Sequence, residues 1–353
     1  MGVQAYNNTD ELASYKKIVS QILPTFSASG SPNLANDVVA LEKELAAAVA
    51  SYQNPRYVQS YNPMSVKETE SLLPQIHYDD IISHFAPSDY HADRLIIDSP
   101  PYLEAVSNIL CNTPRETVQA FLKWRVIDTY APNVIDSKMK PLQDLISQHN
   151  PYDYKERWKT CVSKLETPED LGWILARFYV MKWFPPSSKK LGTRIVSDLK
   201  DRFYTVLGQT TWLSEGEKKE GIQKVKNIDV QMGYPSENPN TTDASSVQQY
   251  YADIKITDNF FTNELSVAKS DLNRQWSKLG KPPPSSDWQI TAPAINGAFR
   301  ELEMYIFFTA AVMQPPVFYG PTAPGYVNYG LFGASAGHEL SHGRFRLADR
   351  RLR

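Results

Sequence analysis

Apolar residues recur at helical spacing through most of the chain and give way to β-prone runs near its end. The clearest stripe is Val38, Leu41, Leu45 and Val49, with Asp37, Glu42 and Glu44 off it. That spacing covers one face of an α-helix and predicts a helix over residues 34–52. A shorter stripe predicts another over 11–23, closed by Pro24, whose ring cannot continue a helix. Ser65 with Glu68 three residues on is a capping box, the signature of a helix start. Thr113 as N-cap and Pro114 at the first helical position open a helix over 113–130, which carries Val118, Phe121, Leu122, Trp124 and Val126. Further helices are predicted over 154–162, 168–184 and 189–207, with Pro185-Pro186 between the last two. A last one covers 214–228, where Ser214 and Glu217 form a second capping box. The aromatic residues in these stretches, such as Trp173, Phe178 and Tyr179, read as core.

After Gly233-Tyr234-Pro235 come a polar loop over 236–246, a mixed segment to Gly280 and a stiff connector, Lys281-Pro282-Pro283-Pro284-Ser285-Ser286-Asp287. Beyond it, Glu303-Met304-Tyr305-Ile306-Phe307-Phe308 predicts a strand and Gln314-Pro315-Pro316 a turn. The order of elements implies a mainly α chain with a small sheet near its end (α+β). Three regions are expected: a helical one over 1–235, a connecting one over 236–287, and one over 288–353.

Composition narrows the classes without choosing among them. The 353 residues carry 37 basic and 39 acidic side chains, a net charge of −2, which gives no reason to expect nucleic acid or an anionic membrane as partner. No apolar run reaches membrane-spanning length, and residues 1–10 lack the apolar stretch of a signal peptide. Cys111 and Cys161 allow at most one internal bridge.

The chemical signal lies at His338-Glu339-Leu340-Ser341-His342, the pattern H-E-x-x-H. On a helix the two histidines lie on one face about one turn apart, so both imidazoles can reach one cation. Glu339 adjoins the first and can accept a proton from a metal-activated water, the role of a general base in zinc hydrolases. A catalytic zinc takes three protein ligands. The metzincin pattern would place glycine at 345 and histidine at 348; Phe345 and Ala348 stand there instead, which excludes that class. No glutamate follows His342. His77, His84 and His91 recur every seven residues, but Pro87 interrupts the series and no acidic or cysteine ligand repeats with them, so they read as ordinary, partly exposed histidines.

Several further stretches, in order and at their intervals, resemble the neprilysin-like (M13) zinc metallopeptidases. They are Asn296-Gly297-Ala298-Phe299, Gln314-Pro315-Pro316-Val317-Phe318, Asn328-Tyr329-Gly330 and Gly337 through Gly343, preceded by Trp124-Arg125, Arg157-Trp158-Lys159-Thr160-Cys161 and Gly233-Tyr234-Pro235. The resemblance implies a multi-helical N-terminal region followed by part of a thermolysin-like zinc-peptidase lobe. It implies one Zn2+, held by His338 and His342, with Glu339 activating water and peptides as substrates. It further implies that Asn296 and Gly297, the latter standing where the family carries alanine, bind the substrate backbone along a strand edge. By the same resemblance such proteins are secreted or are ectodomains at the plasma membrane; the chain itself carries no address.

The sequence also departs from the pattern. Thr309 stands where the resemblance leads one to expect proline. The third ligand it implies, a glutamate on a later helix with a partner aspartate, does not follow His342, and residues 343–353 are rich in arginine instead. The cysteine expected to bridge to Cys161 is absent too, so that thiol is expected to stay free or to find Cys111. These departures predict an incomplete form, truncated at both ends, of a zinc metalloendopeptidase. The competing reading is an inactive helical pseudoenzyme or a partner-binding fragment of such a peptidase.

Overall fold

The stripe through Val38 and Leu41 does form a helix, and its surroundings organise the first of two compact units in the computed structural model. The structure describes residues 3–26, 33–52, 61–149, 156–282, 288–300 and 303–342. The first unit comprises Met1–Lys155, Ile256–Leu265 and Asn273–Gly280. Its helices are α1 (Thr9–Ile22), α2 (Leu34–Tyr52), α3 (Val66–Leu72), α4 (Tyr78–Phe85), α5 (Pro100–Asn112), α6 (Arg115–Tyr130) and α7 (Lys140–His149). A two-stranded antiparallel pair, β1 (Asn62–Met64) and β2 (Leu95–Ile97), lies among them. Val19, Ile22, Val38, Val39, Trp124 and Leu142 form the core. The Ser65–Glu68 capping box is present at α3, each side chain bonding the other residue's backbone N–H.

Three expectations are corrected in this unit and one in the second. Glu42, assigned to the polar face of α2, is only 5% exposed. It lies one turn beyond Val38, and its Oε1 accepts the Tyr15 hydroxyl at 3.2 Å. The helix expected from Thr113 starts at Arg115 with Pro114 as its cap, and residues just before it form α5, for which no stripe gave warning. Leu122 and Val126 are exposed, because α6 buries Thr117, Ala120 and Trp124, the opposite face. Phe178, in the second unit, is exposed for the same reason: its helix buries Trp173, Ala176 and Val180.

The second unit comprises Glu156–Lys255, Ser266–Leu272 and Lys281–Arg353. It contains α8 (Arg157–Leu165), α9 (Gly172–Trp183), α10 (Pro186–Gln209), α11 (Glu215–Asn227), β3 (Asp229–Gly233) and α12 (Ala244–Tyr250). α13 (Phe260–Trp276) is divided between the units, and β4 (Gly297–Arg300), β5 (Tyr305–Thr309) and α14 (Gly325–His342) complete the second. Its three-stranded sheet has the order β3-β5-β4, with β3 parallel and β4 antiparallel to β5. β5 is central and every residue of it is buried, which explains why it reads as an unbroken apolar run. β3 escaped the sequence reading because Asp229-Val230-Gln231-Met232-Gly233 is short and mixed. Gly233 ends it at φ +77°, and a Cβ there would stand 2.2 Å from the Phe184 ring; only glycine fits that turn.

The core of this unit joins Trp173, Phe184, Ile195, Met232, Phe308 and Phe332. Both cysteines are free and exposed, so of the two states left open for Cys161 the structure has the unbridged one. Residues 283–287 of the connector, and the arginine-rich residues 343–353, lie outside the described residues.

Candidate metal centre

α14 buries Asn328, Phe332, Ala336 and Leu340, a repeat of four that packs one face onto the unit. At about 100° per residue, His338 and His342 stand about 160° from Ala336 and Leu340 and therefore face outward. Both histidines are exposed and Glu339 is half-buried. The two Nε2 atoms are 3.0 Å apart, with the rings nearly perpendicular. The ligand atoms of His338, Glu339 and His342 all lie within 4.8 Å of one another, the one group among the described residues so arranged.

This donor set fits a zinc ion at two positions. Imidazole nitrogens bound tetrahedrally at about 2.0–2.1 Å lie about 3.3 Å from each other, so the observed pair needs to open by only about 0.3 Å. His77, His84 and His91 are all exposed and join no such group among the described residues.

β4 forms the wall beside this pair. It is the edge strand, in register Gly297↔Phe308, Ala298↔Phe307, Phe299↔Ile306 and Arg300↔Tyr305. Thr309 N–H donates to Asn296 O at 3.0 Å. Because hydrogen-bonded and open pairs alternate in an antiparallel ladder, the N–H and C=O of Gly297 and Phe299 point to the free edge. One of these groups is already engaged: Phe299 N–H donates to Glu339 Oε2 at 2.9 Å. That bond aims one carboxylate oxygen at the strand. Sequence reasoning did not find it, since a backbone donor leaves no mark on residue identity.

Asn296 stands at the mouth of β4, exposed, with its backbone held by Thr309. Gly297 is where two clefts meet. One, of about 360 Å³, is lined by Gly297, Ala298, Phe299, Glu339 and His342. The other, of about 440 Å³, is more apolar and includes Phe308, Val312, Phe332, Ser335 and His338. A Cβ at Gly297 would meet the Phe308 ring at 2.5 Å, so the ring occupies the space that alanine would need.

The helix is anchored at its other end. Buried Asn328 accepts Tyr319 N–H at 2.9 Å and donates to Gly320 O at 2.8 Å, and Tyr329 donates its hydroxyl to Asp198 on α10. Phe332 packs edge-on against Phe308 and Phe318. The Asn328-Tyr329 pair thus has a local purpose, which is to fix α14 against the Tyr319-Gly320 loop and α10.

Two models of one family cover most of the sequence. Peptidase family M13 matches residues 3–235 through its N-terminal model and 296–350 through a second. The chain belongs to peptidase family M13. Among similar M13 proteins, Neprilysin-2 of Drosophila melanogaster is 28% identical over 97% of this chain and 46% of its own length. Neprilysin-11 of Caenorhabditis elegans is 26% identical over 95% and 41%. Endothelin-converting enzyme 1 of Homo sapiens is 25% identical over 80% and 36%. The chain therefore spans less than half the length of these relatives. Two solved structures share the fold: a Mycobacterium tuberculosis zinc metalloprotease with an inhibitor, and PepO of Lactobacillus rhamnosis. Each has a TM-score of 0.74 at 20% identity, over 97% and 96% of this chain and 51% and 54% of theirs. The mainly α fold with a small sheet is thus that of M13 peptidases. No described helix is long and apolar enough to cross a membrane.

Proposed function

We propose that this chain carries the water-activating part of a zinc-dependent endopeptidase that hydrolyses peptide bonds. The observation that carries the proposal is the convergence of His338, Glu339 and His342 beside an open strand edge. In this reading His338 and His342 hold the metal. A zinc ion bound there supplies a Lewis acid for the scissile carbonyl and acidifies water to about neutral pH. Glu339 takes the proton from that water and delivers it to the leaving amine, while Phe299 N–H keeps its carboxylate in place. A peptide adds to β4 as a further strand, bonding the outward groups of Gly297 and guided by the exposed Asn296 side chain. The 440 Å³ cleft beside Gly297 takes an apolar side chain.

The domain division that goes with this reading is a helical region over 1–235, a link over 236–287 and the metal-bearing region over 288–353. Peptides are the partners, and the setting is the cell exterior or its surface, as the resemblance implies. The second reading is a non-catalytic relative: among the described residues, Glu339 is the one further ligand type grouped with His338 and His342. Cleavage of a quenched fluorogenic peptide by the zinc-loaded chain and by Glu339→Gln separates the two. Peptidase action requires cleavage that Glu339→Gln abolishes with zinc still bound. No zinc-dependent cleavage in the unaltered chain contradicts it.

A further inference from the structure

Thr309, the last residue of β5, is fully buried. Its Oγ1 lies 2.5 Å from Ala294 O, 2.9 Å from Asn296 O, 3.2 Å from Asn296 N and 3.4 Å from Val312 N. A hydroxyl has one proton and two lone pairs. It therefore donates to one carbonyl at a time, Ala294 O being nearer, and accepts from the amides of Asn296 and Val312. Thr309 N–H is also given to Asn296 O. One residue thus takes up both polar groups of the Asn296 backbone and reaches Val312, in the wall of the apolar cleft.

The place it holds would otherwise be weak. β4 has four residues and is paired on one side only, and the chain enters it through Ile295, which is 80% exposed. An edge strand so short frays from its start, because each residue lost gives up few contacts. Proline, expected here from the resemblance, has neither a hydroxyl nor an N–H and could make none of these bonds.

We propose that Thr309 is a positioning residue for the strand edge, clamping the backbone at Asn296 and so fixing the level at which Gly297 meets a bound peptide. Its consequence for substrate rests on the peptidase reading above; the clamp does not. The chain is compared with Thr309→Ser, Thr309→Cys and Thr309→Val, which keep the hydroxyl, exchange it for a weakly bonding thiol, and delete it. Amide hydrogen exchange over residues 295–300 should accelerate in that order, reaching about tenfold in Thr309→Val, while β3 exchanges as in the unaltered chain. With zinc and a quenched fluorogenic peptide, KM should rise about tenfold in Thr309→Val at nearly constant kcat and zinc affinity, because edge bonds are made in ground and transition states alike. If Thr309→Val does not fold, the Ser and Cys pair decides by the same order. Equal exchange across the series, or acceleration of β3 together with β4, overturns the clamp. The graded exchange without zinc-dependent cleavage in any variant supports the clamp and defeats the peptidase reading instead.

Discussion

Gly297→Ala tests how tightly the strand edge is fitted to the helix behind it. The added Cβ would stand 2.5 Å from Phe308 Cδ1, 2.9 Å from Cε1 and 3.3 Å from Phe307 O. Ordinary contact requires the ring to retreat by about 1 Å, and a well-packed interior yields such space only at a cost. Phe308 has little freedom to do so, being 1% exposed and edge-on to Phe332 at 4.9 Å between centroids. Overpacking of this kind costs about 1–3 kcal/mol. Against it, alanine restricts the unfolded chain and returns about 0.4–1 kcal/mol. The net expectation is a loss of about 1–2 kcal/mol, or several degrees in the melting of the second unit. Adding Phe308→Leu should relieve the clash, so the double variant should be more stable than the sum of the single effects by about 1 kcal/mol. Urea unfolding of the four proteins in the cycle measures this. Additive effects, or a neutral Gly297→Ala, would refute the claim that the Phe308 ring fills the missing methyl's place.

Three other outcomes follow from the same geometry. Phe299→Pro removes the N–H that holds Glu339, and since that N–H faces the free edge, no ladder bond is lost. Zinc affinity should persist while zinc-dependent kcat falls about tenfold or more; an unchanged kcat would show the bond to be idle. Burial raises the Glu42 carboxyl above its ordinary range, opposed by the Tyr15 hydroxyl and by Arg125. An acid whose folded pKa is raised stabilises the fold most below its ordinary pKa and loses that contribution as pH climbs through the raised value. Glu42→Gln should match the parent near pH 4 and exceed it by about 1–2 kcal/mol at pH 8; a pH-independent difference in urea midpoint would contradict this. Asn328→Ala should cost about 1–3 kcal/mol, because Tyr319 N–H and Gly320 O lose their buried partner, and thermal melting reads it directly.

Where one physical signal dominated, the sequence was legible. α2 runs over the residues its stripe marked, and both capping boxes form, at Ser65 and at Ser214. Burial was misjudged where two faces of a helix are both apolar: Leu122 and Phe178 sit opposite the true core faces of α6 and α9. Glu42 was misplaced because its burial depends on Tyr15, 27 positions away. At the metal centre, residue types and spacing brought His338, Glu339 and His342 together in advance. The Phe299 donor and the Thr309 clamp remained hidden, since one is a backbone group and the other follows from β4–β5 pairing. Thr309 did leave a trace, as a departure from the expected proline.

Whether His338 and His342 together bind zinc is read by zinc K-edge X-ray absorption on the metal-loaded chain. Joint binding should give two imidazole nitrogens at about 2.0–2.1 Å in a four-coordinate shell, with the imidazole signal halved and affinity lowered in His342→Ala. A shell without imidazole scattering, or one that His342→Ala leaves unchanged, would contradict it.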